Sequence, residues 1–180
     1  MNLFRTLRST GFALFVGLGL SSCLQAPDYA IEPRIEEKTV TVFRRNDVFG
    51  LRDSVEVALD FQDGDGDLGL DVSDNTGPFA FNNGLNRYYE NYFIQPQYKN
   101  RQGVFVPLLP LGSANGRFIR LTKEDAKPGP IKGVLRRSLI ISLLDTAYSA
   151  RPGTEYRFEV VIVDRTLHES NKVVTKPVKL

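Results

Sequence analysis

The sequence predicts an all-β fold, an antiparallel β-sandwich, on three observations. Short stretches rich in β-branched and aromatic residues recur along the chain. Gly, Pro and Asn turns separate them, and no helical period of useful length interrupts them. One domain accounts for the pattern, because no internal repeat or low-complexity tract breaks it.

In chain order, residues 1–22 form a processing segment. Arg5 and Arg8 make a basic start, Gly11 to Leu20 is an apolar run too short to span a bilayer, and small residues follow. Leu20-Ser21-Ser22-Cys23 then resembles the lipobox of bacterial lipoproteins, in which the Cys is acylated and becomes the mature N-terminus. Acyl chains contribute about 0.8 kcal/mol per buried methylene, so lipid on Cys23 anchors the chain stably without a membrane-spanning helix. Cys23 is the sole cysteine, which excludes a disulfide framework and leaves the fold to its core. Residues 1–22 hold two Arg and no acid, so their removal leaves 21 basic and 21 acidic residues. A formally neutral chain without a dense basic patch does not fit nucleic-acid binding.

Residues 23–37 read as the lipidated Cys and a tether, with Pro27, Pro33 and little periodicity. Extended at about 3.1 Å per residue, such a tether would hold the domain about 40 Å from the membrane. The sandwich is expected over 38–180. Thr39 to Phe43 is a first strand candidate, and Val55-Glu56-Val57-Ala58-Leu59-Asp60-Phe61 alternates as a half-buried strand does. Phe93–Tyr98 and Val104–Leu109, joined by Lys99 to Gly103, read as a hairpin. Arg117 to Leu121 is a further strand candidate, and Thr122 to Asp125 a single helical turn stopped by Pro128 and Pro130. Ile131–Leu144, Glu155–Val163 and Val173–Leu180 complete the set.

The stretch with chemistry in it is Asp60 to Asp74, D-F-Q-D-G-D-G-D-L-G-L-D-V-S-D. It carries six carboxylates, and no Lys or Arg lies between Arg52 and Arg87. Asp63, Asp65 and Asp67 alternate with Gly64 and Gly66, so a looped backbone can turn several carboxylates towards one hard cation. Set on the EF-hand template, these three fall at loop positions 1, 3 and 5, the Gly69 carbonyl at 7, Asp71 at 9 and Asp74 at 12. Leu68 stands where the template needs Gly, Asp74 replaces the bidentate Glu, and a strand precedes the loop. The expectation is therefore an EF-like Ca²⁺ loop between strands, with Asp63, Asp65, Asp67, Gly69 and Asp71 as ligands and an affinity on the order of 10⁻⁴ to 10⁻³ M.

Residues 79–93 mix six aromatics with Asn82, Asn83, Asn86 and Asn91. Aromatic rings with amides suit a carbohydrate- or peptide-binding platform, here Tyr88, Tyr89 and Tyr92. The same residues also suit core packing, where Tyr sits half-buried with its hydroxyl in water.

The acidic loop near the start, paired with Asp164-Arg165-Thr166-Leu167-His168-Glu169-Ser170-Asn171 near the end, resembles a group of small Bacteroidota lipoproteins. Their domain is similar to immunoglobulin and fibronectin type III sandwiches. The resemblance implies an immunoglobulin-like sandwich on the outer membrane and brings no catalytic residues with it. In such a domain 164–171 would close the last hairpin, with Asp164 and Arg165 pairing locally and Ser170 and Asn171 bonding to the turn backbone.

Enzyme chemistries find little support. His168 is the single His, and Ser170 is too near it in sequence for a Ser-His-Asp assembly. Zinc ligand spacing and a phosphate-cradling Gly loop are absent from the sequence. The sequence thus predicts a non-enzymatic, lipid-anchored envelope module, structural or accessory, with a calcium loop and an outer-membrane protein as partner. The alternative is a glycan- or peptide-binding module.

Overall fold

The computed structural model describes residues 27–48, 50–108, 113–142 and 153–180. The segment read from sequence as a processing signal and Cys23 lie outside the described residues, as do Leu109, Leu143 and Leu144 at the ends of two strand candidates. The fold is all-β, built from β1 (Arg34–Asp47), β2 (Gly50–Asp63), β3 (Tyr92–Lys99), β4 (Phe105–Pro107), β5 (Ile131–Ser142), β6 (Glu155–Ile162), β7 (Val173–Val174) and β8 (Val178–Lys179). Two antiparallel sheets result. One has the order β1-β2-β5, and the other runs β4-β3-β6-β7 with β8 also on β6.

Period-two alternation explains how the sheets meet. Val55, Val57, Leu59 and Phe61 of β2 face inward, as do Leu135, Leu139 and Ile141 of β5. They meet Tyr92 and Ile94 of β3 and Tyr156, Phe158, Val160 and Ile162 of β6 in one core between the sheets. Each fully buried side chain of this size contributes about 1.5 to 3 kcal/mol, so the facing strands supply most of the driving force.

β1 begins at Arg34, well before the expected Thr39. The reason is a bulge: the register shifts between Glu37 and Thr39, so Lys38 is the extra residue. A bulge reverses the parity of everything after it. Ile35 and then Val40 and Val42 can therefore share the inner face although their spacing is odd. The Arg117–Leu121 candidate is not a strand; its backbone bonds instead to the acidic loop, Leu70 N–H donating to Phe118 C=O and Leu121 N–H to Leu68 C=O, both at 3.1 Å. The segment from Thr122 to Asp125 is a turn and not a helix. Pro177 divides the closing stretch into β7 and β8.

Ser170 and Asn171 do bond to backbone, but they hold two different elements. Ser170 Oγ accepts from Ile162 N–H at 3.0 Å inside the β6–β7 connection. The Asn171 amide reaches across to β1, where Oδ1 accepts from Ile35 N–H and Nδ2 donates to Ile35 C=O, each at 2.9 Å. An amide side chain thus takes the place of a neighbouring strand for a residue that is fully buried. Asn171→Ala leaves both Ile35 groups unpaired and is expected to cost about 2 kcal/mol, read as a lower urea midpoint. An unchanged midpoint would mean that water serves Ile35 equally well.

Candidate metal centre

One end of the sandwich collects the ends of β2 and β6 and the starts of β1, β3 and β5. Asp63 is the last residue of β2, fully buried. The chain then turns sharply: Gly66 adopts φ +76°, a conformation that favours glycine, and its N–H donates to Asp63 Oδ2 at 3.0 Å. That turn brings Asp67 back beside Asp63. Asp164 arrives from the other sheet, just past β6, through the bridge between Leu68 and Asp164. One carboxylate oxygen each from Asp63, Asp67 and Asp164 lie within 4.8 Å of one another. A cation that takes oxygens at 2.3 to 2.6 Å fits between atoms so spaced, so this buried Asp triad can hold a metal ion.

The remaining hydrogen bonds orient these groups. Asp67 Oδ2 accepts from the Thr166 N–H and hydroxyl, both at 3.1 Å. Asp164 Oδ1 accepts from His168 N–H at 2.7 Å, and its Oδ2 faces His168 Nδ1 at 2.9 Å. Asp164 thereby caps a tight turn in which Leu167 is held at φ +71°, a position that costs a non-glycine residue about 1 to 3 kcal/mol. The ring nitrogen that meets Asp164 also lies 3.0 Å from the Thr166 hydroxyl, so it is fully committed to the turn.

Among the described residues, three carboxylate oxygens here lack a partner: Asp63 Oδ1, Asp65 Oδ1 and Asp67 Oδ1 are buried and meet no hydrogen-bond donor. Buried polar atoms are almost always satisfied, and three carboxylate oxygens left over in one place is the pattern a cation would complete. The electrostatics agree. Burial first, and then Asp65, Asp67 and Asp164, push the Asp63 carboxyl up to about 7. Burial, Asp164 and Asp65 raise Asp67, against the two Thr166 bonds. The hydrogen bond to Asp164 raises His168.

The acidic stretch divides between two kinds of partner. Its outer half is neutralised by arginines distant in sequence: Arg165 donates from both terminal guanidinium nitrogens to Asp74, and Asp71 lies 3.5 Å from Arg120 and 3.6 Å from Arg165. Burial acts to raise the Asp74 carboxyl, but the bond from Asp71 N–H and the Arg165 guanidinium outweigh it and hold the group below the usual range. Among the described residues no ion pair involves Asp63, Asp65 or Asp67. Asp71 is thus an ion-pair partner and not part of the convergent triad. Gly69 is buried against the backbone of Ile119 and Arg120, where it lets the 116–121 segment approach. Arg165 does not pair with Asp164 as expected, because Asp74 claims it and the His168 turn claims Asp164.

Asp164 is the residue that the spacing argument misses. Its only signal is the co-occurrence of the two motifs, since nothing local marks it as a ligand. The tyrosines expected to form a platform are dispersed. Tyr92 is 3% exposed in the core, Tyr88 donates to Glu169 at 3.3 Å, and Tyr89 packs edge-on against Phe81 at 5.1 Å. A buried ring cannot stack on a sugar, so the three do not form one surface.

Gly64 fixes the N-terminal segment to this centre. A Cβ there would lie 2.5 Å from the Ala30 carbonyl oxygen and against that of Tyr29. Gly64→Ala is expected to displace residues 27–33 at a cost of about 1 to 3 kcal/mol, with faster proteolysis before Arg34. Unchanged cleavage would show that the contact yields freely.

No family model matches the chain, and no curated protein matches it. Among solved structures, the X-ray structure of Northeast Structural Genomics Consortium target SoR45 aligns over 83% of this chain and 86% of its own, at 8% identity and a TM-score of 0.30. A likeness that distant carries no argument about fold or function.

Proposed function

We propose that this chain is a lipid-anchored, immunoglobulin-like module of the outer membrane that binds one calcium ion and serves an envelope assembly without catalysis. The observation that carries the metal is the set of three buried, unpartnered carboxylate oxygens beside the Asp63, Asp67 and Asp164 triad. An all-oxygen, all-carboxylate donor set suits hard cations and not zinc or copper. Calcium is favoured over magnesium because magnesium demands near-octahedral geometry and keeps several waters, whereas these oxygens are buried. The ion would tie the end of β2 to the end of β6, joining the two sheets. The anchor rests on the lipobox at Cys23; among the described residues no helix is long and apolar enough to cross a membrane.

Two experiments test this reading. Native mass spectrometry is expected to find one calcium per chain that chelator strips away; no adduct would remove the metal. Labelling cells with an alkynyl palmitate should mark the wild type and not Cys23→Ser, and equal labelling would remove the anchor.

A further inference from the structure

The acidic centre and the start of the described chain occupy the same end of the sandwich. Tyr29 and Ala30 pack on Gly64, Pro33 is buried, and Arg34 pairs with Gln62. Tyr29 lies six positions after Cys23, and that span reaches about 20 Å at most when fully extended. The headgroup layer takes about 5 to 8 Å of that reach. A lipid on Cys23 therefore keeps this end within about one headgroup-layer and one loop of the bilayer, far closer than the 40 Å that a free 14-residue tether would allow.

The same end carries exposed apolar side chains on loops. Val72 is 94% exposed, Leu85 79% and Ile119 76%. Val72 and Leu85 belong to the excursion that leaves β2 at Asp63 and re-enters at Tyr92, and Ile119 lies on the segment packed against Gly69. We infer that this end of the sandwich rests on the membrane surface, with Val72, Leu85 and Ile119 entering the headgroup boundary. The inference rests on the proposed acylation of Cys23. Lipid is the occupant that the geometry selects, because a short anchor holds the end that carries these side chains near a bilayer, and apolar side chains gain by leaving water there. The opposite end offers the internal control: Val48, at the β1–β2 connection, is 93% exposed and lies about fourteen residues of strand away from Asp63.

The test uses the acylated full chain reconstituted into phospholipid vesicles. Val72→Cys, Leu85→Cys, Ile119→Cys and Val48→Cys are each labelled with an environment-sensitive fluorophore. The first three are expected to shift to the blue and to lose most of their emission to spin-labelled phospholipid, while the label at 48 does neither. An acylated chain with the same water-like signal at all four positions would overturn the inference and leave the anchor intact. A chain whose mass shows no acyl group would overturn both. All four positions are exposed, so the labelled chains should keep the parent melting temperature.

Discussion

Calcium added to the metal-free protein is expected to raise its melting temperature by about 5 to 10 °C, and Asp63→Asn should abolish that rise. The size follows from mass action: at a free ion concentration 100 times Kd, binding stabilises the folded state by about 2.7 kcal/mol. In a chain of this length each kcal/mol moves the midpoint by roughly 2 to 4 °C. The variant also makes an opposite prediction without metal. The amide introduced at position 63 keeps an acceptor for Gly66 N–H, removes a buried charge and can donate to the unpartnered Asp65 or Asp67 oxygen. Metal-free Asp63→Asn should therefore melt above metal-free wild type. Destabilisation in both conditions would make Asp63 a structural acid and not a ligand.

The second large effect is on pH dependence, and its sign is unusual for a carboxylate. Asp63 titrates at about 7 when folded, against an ordinary value of 3.8. Between those values the folded state holds a proton that the unfolded state releases, so metal-free stability falls as pH rises and levels off above about 7. The whole shift corresponds to about 4 kcal/mol at most. Asp67 and His168, both raised, act in the same direction. With calcium saturating, the ion needs ionised carboxylates, so its stabilising increment should grow over the range in which the metal-free protein weakens. Urea midpoints between pH 5 and 8, with and without calcium, read both trends. Metal-free stability that is flat or rising across this range would contradict the buried cluster.

The parts of this molecule legible in the sequence are those governed by local rules. Alternation marks the inner faces of β2 and β6, and Asp-Gly repeats mark a turn rich in carboxylates. The bulge at Lys38 hides the true start of β1, because it reverses the face on which each later residue lies. Within the acidic stretch, position cannot separate ligand candidates from ion-pair partners. Asp71 and Asp74 look no different from Asp65 and Asp67 until Arg120 and Arg165 are brought up by the fold. Asp164 is hidden for the same reason, since strand order and not spacing carries it to Asp63. The stretch that composition marks as a tether is already packed at Tyr29 and Ala30, which lie against Gly64, a contact between segments that show no periodicity.

The most direct test of the central claim is calorimetric titration of calcium into the metal-free chain. Wild type should bind one ion per chain, with heat that Asp63→Asn and Asp164→Asn each lose while remaining folded. A wild-type trace without binding heat, or variants that bind as wild type does, would contradict a cation held between the two sheets.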